Sequence, residues 1–450
     1  MEFTPWVLLI DAGLIGVLLA IGTWLRAVIP WLQTMMIPAS VMAGILGLAF
    51  GPNGLGWIPF SEYMGTYGSV LIAVVFACIA LTDDFNIFKI GRNVASFSAY
   101  GVLMYSLQVA LGMALVLMLI GPLFDAPDSI GVLLFAGWAG GFGSAAAIGD
   151  VFTQQTGDPE MASLAYTAAT VGLIVGVVGG IIQAKIGASR GHAKAFRGMK
   201  SLPEDMRTGL IRKVEERPAI GQHTFSGASV ESLAFQVGVV SAIAAGAYGV
   251  TLLVTSQWEN LTIPVFSVAF VIGLIVRSVM TRTKVSTYLD RGSLNSVAGS
   301  ATDILIVCGI ASIAPAIVAG YWVELLILFA FGMALCLVLG LVVAPRLMQD
   351  GWFEKQLFTW GWATGAVSTG VALLRITDPK LESGTMEEFG VAYIPVTPVE
   401  IAAVTFVPLL VIAGSAWLVV GIWGAIAVVA MVAAFFIIRA NKRDAAAVSA

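Results

Sequence analysis

Gly140-Gly141-Phe142-Gly143-Ser144-Ala145-Ala146-Ala147-Ile148-Gly149-Asp150 is the stretch that decides how this chain folds. It is embedded in apolar sequence, yet three of its first four residues are glycine, so it cannot continue as a smooth lipid-facing helix. A second such run, Gly361-Trp362-Ala363-Thr364-Gly365-Ala366-Val367-Ser368-Thr369-Gly370, lies in the other half of the chain. Irregular backbone at membrane depth is tolerated only where protein or a water-filled cavity covers it. Two such interruptions at matching places in two halves point to a solute site near the bilayer midplane.

The composition around them is that of a polytopic membrane protein. The chain is 58% hydrophobic and 11% charged, with a mean hydropathy of +0.93, where a soluble domain carries about 25% charged residues. A spanning helix needs roughly 20 apolar residues. The apolar runs predict spans at 7–26, 36–52, 67–85, 94–121, 161–184, 234–256, 263–280, 296–314, 322–345, 389–412 and 415–438. The segments 131–152 and 356–376 are additional and interrupted.

Charge sets the topology, because Lys and Arg gather in cytoplasmic loops. With the N-terminus outside, all 23 Lys and Arg residues fall on the inner side. The outer loops 53–66, 122–130, 153–160, 257–262 and 315–321 carry none. This holds only if each glycine-rich segment is re-entrant, the first dipping in from outside and the second from inside. Glu2 precedes the first span and there is no basic n-region, so this span reads as a membrane helix rather than a cleaved signal. A net charge of −4 gives no reason to expect nucleic acid as a partner. Cys78, Cys308 and Cys336 lie in apolar spans at spacings that fit neither zinc nor a redox pair.

The expected fold is therefore all-α and polytopic, with about eleven spans. An N-terminal repeat (1–188) and a C-terminal repeat (233–413) each hold five spans plus one re-entrant hairpin, and five being odd, the second repeat is inverted. The polar segment 189–232 is a cytoplasmic linker with room for a short surface helix, and 414–450 adds a last span and a cytoplasmic tail. Sequence echoes support the repeat. Ile37-Pro38 and Ile263-Pro264 open the second span of each half, and Val75-Phe76-Ala77-Cys78-Ile79 in the third span of the first half resembles Ile306-Val307-Cys308-Gly309-Ile310 in the second.

A broken membrane helix offers free N–H groups and a positive dipole end to an anion, and an unwound turn offers carbonyl oxygens to a small cation. The candidate substrate and ion residues are Gly140, Gly141, Phe142, Gly143, Ser144, Gly361, Thr364, Gly365, Ser368 and Thr369. Ser144, Thr364, Ser368 and Thr369 add hydroxyl oxygens suited to Na⁺. Gly176 and Gly180 read instead as close helix packing. Charged residues within spans are often functional, which marks Asp303, Asp150, Arg375 and Asp11; Asp83 and Asp84 read as solvated at a cytoplasmic end. The two histidines, His192 and His223, fall in the linker, so no proton relay through intramembrane histidine is available.

These motifs resemble those of the bacterial glutamate:sodium symporters, a family related in fold to the 2-hydroxycarboxylate:sodium symporters. The family's first motif, G-G-H-G-T-G-A-A, is matched by Gly140 to Ala147, and its A-T-F-G-L-V-L-G-G by Ala169-Thr170-Val171-Gly172-Leu173-Ile174-Val175-Gly176-Val177. Its second motif, G-F-G-L-G-A-T-P-T-A, is replaced by Gly361 to Gly370, and the resemblance covers most of residues 5 to 410. It implies a Na⁺-coupled importer of glutamate in the bacterial inner membrane, without a cofactor. It further implies a homodimer in which a core bearing both hairpins moves, elevator-like, against a dimerising scaffold. The N-terminus would be periplasmic and the C-terminus cytoplasmic. The departures are Phe142 for the family's histidine, Ser368 near an absent proline, Asp150 where a glutamate carrier has a basic residue, and Arg375 where it has glutamine. They leave open another carboxylate, such as a 2-hydroxycarboxylate, with Na⁺ or H⁺ coupling. A passive channel is the rival of a different class. No metal cluster or nucleophile constellation suggests an enzyme.

Overall fold

The structure, a computed structural model, describes residues 3–35, 37–82, 92–157, 159–192, 204–257, 264–348, 351–378 and 383–449. The expected solvated pair Asp83 and Asp84, and Ile263 of the second Ile-Pro pair, lie outside these residues. Among the described residues there is no strand, and nine helices are long and apolar enough to cross a membrane.

In chain order the main elements are α1 (Pro5–Val28), α2 (Ala39–Phe50), α3 (Met64–Thr82), α4 (Val94–Phe124), α5 (Asp128–Ala139), α6 (Gly141–Thr156), α7 (Glu160–Ser189) and α8 (Ser232–Gln257). They continue as α9 (Val265–Arg282), α10 (Arg291–Ala311), α11 (Trp322–Leu347), α12 (Trp352–Thr364), α13 (Val367–Thr377), α14 (Thr385–Ala392), α15 (Val396–Ile412) and α16 (Ala416–Ser449). Two expected spans differ. The span 36–52 is the 12-residue α2, about 18 Å long at 1.5 Å per residue, because Pro38 fixes its start and Gly51-Pro52 its end. The span 389–412 is interrupted between α14 and α15 at Tyr393–Pro395, where Pro395 has no N–H to continue the ladder.

The fourth span of each half has the same irregularity. In α4 a π-turn at Val116–Ile120 precedes Gly121-Pro122, and in α11 one at Leu339–Val343 precedes Ala344-Pro345. A proline ring collides with the carbonyl four residues back. The helix widens to i→i+5 bonding just before it, Gly121 N–H reaching Val116 O and Ala344 N–H reaching Leu339 O.

Two assemblies result. In the first, α3 packs on α9 and α10, α2 on α10, α1 on α2, and α8 on α9. Its contacts are reciprocal: Gly44 of α2 meets Ile306 and Ile310 of α10, and Gly273 of α9 meets Ala77 and Ala80 of α3. Bare glycine backbone permits that closeness. In the second assembly α16 runs along α4, while α7 packs on α5, α6, α12 and α13. Each half of the chain thus gives its first three spans to the first assembly and its hairpin and later spans to the second. Residues 1–188 and 233–413 therefore each contribute helices to both assemblies.

Helix ends sort onto two faces. On one, Asn53 donates to the carbonyls of Ser312 and Ile313, and Pro127, Thr156, Tyr321 and Ile412 border one cavity. On the other, Arg26 Nε donates to Arg207 O, and Gln222 N–H to the Asp290 carboxylate that caps α10. The described part of the linker, including a short helix at Glu204–Thr208, therefore rests on the first assembly.

Candidate functional site

Both glycine-rich segments are helical hairpins. Residues 127–129, at the start of α5, share a 510 Å³ cavity with Phe152 and Thr156 at the end of α6, so the first hairpin leaves by the face it entered. In the second, α12 and α13 lie so close that a Cβ on Gly361 would stand 2.6 Å from Gly370 N. The turn of the first is made by Gly140 and by Gly141 at φ +61°, a left-handed conformation that favours glycine. The turn of the second is Gly365-Ala366.

The two turns meet. A Cβ on Gly141 would fall 2.2 Å from the Gly365 carbonyl oxygen. Gln108, in the middle of α4 and fully buried, spans the junction. Its Nε2 donates to Ala363 O at 2.8 Å, and its Oε1 accepts from Ala139 N–H at 3.3 Å, so one amide binds both tips. The glycine face of α7 seats the second tip. Gly172 faces Thr364 O, Gly176 faces Thr364 Oγ1 and Gly180 faces Leu373, while Trp360 Nε1 donates to Gly176 O. Gly176 and Gly180 are the packing positions their spacing suggests.

Four half-helix ends converge here. The N-termini of α6 and α13 present N–H groups and positive dipole ends, a ready site for a carboxylate. The C-termini of α5 and α12 present carbonyls suited to a small cation. Ser144 is buried beside Tyr105. Thr364 is buried too, its hydroxyl donating to Trp360 O with acceptor capacity left. Thr369 is buried next to Gly365. Phe142 belongs to the apolar core, and Gly143 faces only Ile72. The Ser368 side chain lies outside the described residues.

A cavity opens on each side of the tips. One, of 780 Å³, runs along α6 and includes Ala146, Asp150, Ser69 and Tyr166. The other, of 280 Å³, runs along α13 and includes Thr369, Asp303 and Arg26. The cavities lie between the two assemblies and on opposite faces.

The four charged candidates separate. Asp303 lines the smaller cavity beside Thr369. Asp150 lines the larger one, accepting from Ser69 Oγ at 2.5 Å and Gln154 Nε2 at 2.8 Å; the Ser69 bond crosses between assemblies. Arg375 is eight residues beyond the start of α13, about 12 Å from the tip at 1.5 Å per residue. Among the described residues, its buried Nε has no hydrogen-bond partner. Asp11 does not join the site. It is buried at α1, where its carboxylate accepts from Ser61 N–H, Ser61 Oγ and Tyr67 Oη. Its lone pairs thus fasten α1 to the chain entering α3.

Sequence reasoning missed Gln108, although a lone amide in the middle of an apolar span was visible. It also missed the ion pair between buried Lys355 and half-buried Glu388, with Nζ 2.7 Å from Oε2, which ties α12 to α14. A third omission is Glu400 of α15, which accepts from Tyr393 Oη at 2.5 Å.

Residues 10–374 match the sequence model of the sodium/glutamate symporter family. No individual curated protein matches the chain.

Proposed function

Because the chain belongs to the sodium/glutamate symporter family, we propose that it imports a small carboxylate, glutamate first, by moving the hairpin-bearing second assembly as a core against the first as a scaffold. The observation that carries this reading is the meeting of the two hairpin tips between cavities on opposite faces. A solute held at the tips is reachable from one side or the other according to where the core sits. The substrate carboxylate takes the N-termini of α6 and α13. Na⁺ takes carbonyls at the ends of α5 and α12, with hydroxyl oxygens from Ser144, Thr364, Ser368 and Thr369. Gly140, Gly141, Gly361 and Gly365 let backbone approach the ligand, and Phe142 and Gly143 pack behind it.

The reading extends to the bacterial inner membrane, with the Arg26 face cytoplasmic, the N-terminus periplasmic and the scaffold pairing with a second copy. The reciprocal contacts of Gly44 and Gly273 and the paired π-turns before Pro122 and Pro345 support the inverted repeat. The test is uptake into proteoliposomes under an imposed Na⁺ gradient, with choline replacing Na⁺ at constant pH as the control. Saturable, Na⁺-dependent glutamate accumulation is expected. Equal uptake in choline rejects Na⁺ coupling, and equilibration without accumulation makes the protein a channel. The departures at Phe142, Asp150, Ser368 and Arg375 favour a second reading with another organic anion, which competition by 2-hydroxycarboxylates decides.

A further inference from the structure

The two cavities differ in charge. Among the described residues, the larger is lined by two acidic residues, Glu62 and Asp150, and by no Lys, Arg or His. The smaller is lined by a cation and an anion together, Arg26 and Asp303, with the Thr369 hydroxyl and the apolar Val177, Ala372 and Leu373. Thr369 is two residues into α13 and beside Gly365, so this cavity reaches the second hairpin tip. Arg26 is positioned by Arg207 O.

A guanidinium matches a carboxylate in a bidentate fork, and a carboxylate matches an ammonium group. We propose that Arg26, Asp303 and Thr369 form a state-specific site for an amino-acid zwitterion, in which Arg26 holds a carboxylate and Asp303 the α-ammonium group as the solute leaves the tips. The proposal rests on the symporter reading and names the substrate class it favours. Arg26 and Asp303 stand on α1 and α10 of the scaffold, whereas Thr369 travels with the core. A solute carried by the core meets the charged pair only when the core opens toward the Arg26 face. Contacts made in one state alone change affinity in that state and leave the other unchanged. A dicarboxylate without an amine places no cation against Asp303 and gains only the Arg26 half of the site.

The experiment uses the full chain in right-side-out and inside-out membrane vesicles, with L-glutamate and glutarate, the same skeleton without the amine. For Asp303→Asn, the half-saturating glutamate concentration at the Arg26 face rises about tenfold, as expected for loss of one charge-assisted hydrogen bond. At the opposite face it stays within about twofold, and inhibition by glutarate at the Arg26 face does not weaken. Arg26→Gln weakens both compounds at that face. Equal loss at both faces, or parallel loss of glutamate and glutarate in Asp303→Asn, overturns the proposal. If Asp303→Asn does not insert, the unaltered protein decides. Glutarate competes less well against glutamate at the Arg26 face than at the opposite face, and equal competition at both overturns the site. Absence of Na⁺-driven uptake of any kind is a different result, which rejects the symporter reading itself.

Discussion

Two glycines of one motif, two residues apart, have opposite tolerances. Gly141 needs its left-handed φ, and its bare Cα faces Gly365 O, whereas a Cβ on Gly143 would meet only Ile72 Cδ1 at 3.5 Å. Gly141→Ala therefore costs about 1–2 kcal/mol in backbone strain and drives the tips apart, abolishing uptake while the chain still inserts. Gly143→Ala keeps most of its uptake and does not lower the melting temperature, because the extra methyl fits and restrains the unfolded chain. Uptake and thermal melting of the two variants side by side check this. Gln108 is the other residue-scale test. Gln108→Ala leaves Ala363 O and Ala139 N–H unpartnered, and a buried unsatisfied group costs about 1–3 kcal/mol. The Na⁺ concentration for half-maximal uptake should rise severalfold. Unchanged Na⁺ dependence would mean that the amide does not position the tips. The glycine motifs were legible in sequence because only backbone permissiveness explains them. Gln108 was not, because an amide in an apolar span does not say which distant carbonyl and N–H it will join.

Among the elements, α12 and α14 are joined by an ion pair between buried Lys355 and half-buried Glu388. Removing Glu388 strands the Lys355 ammonium away from water, a loss of about 3–5 kcal/mol, whereas replacing both by apolar residues is often neutral or stabilising. Glu388→Met should melt well below the unaltered protein, and Lys355→Met with Glu388→Met should recover most of the difference. A double variant no more stable than the single one would exclude the pair as the cause. Most helices were readable from apolar runs. The shortness of α2 and the break at Pro395 were not, since hydropathy averages over prolines that end hydrogen-bond ladders. The paired Gly121-Pro122 and Ala344-Pro345 were readable too, and they mark the same π-turn in each half.

For the whole molecule, the bond from Ser69 to Asp150 joins α3 of the first assembly to the hairpin arm α6 of the second. If the core slides, this contact must break in every cycle. Ser69→Cys with Asp150→Cys, in a background without Cys78, Cys308 and Cys336, should lose uptake on oxidation and regain it on reduction. Full transport by the cross-linked protein would rule out sliding along this boundary. Tyr166 of α7 lies across the same boundary, its ring against Gly309 and its hydroxyl against Gly68, so the contacts to be exchanged include an aromatic ring seated between two glycines.

The sequence by itself determined that the chain is a many-span helical membrane protein with two interrupted segments. Hydropathy, charge sidedness and glycine each act locally, and each can be read without knowing what lies opposite. The tertiary structure alone decided that the segments touch at Gly141 and Gly365, that Gln108 binds both, that Asp11 is consumed by Ser61 and Tyr67, and that Asp303 shares a cavity with Arg26. Those facts are pairings between residues tens or hundreds of positions apart. Pairing depends on how the two halves interleave, and no local pattern encodes it.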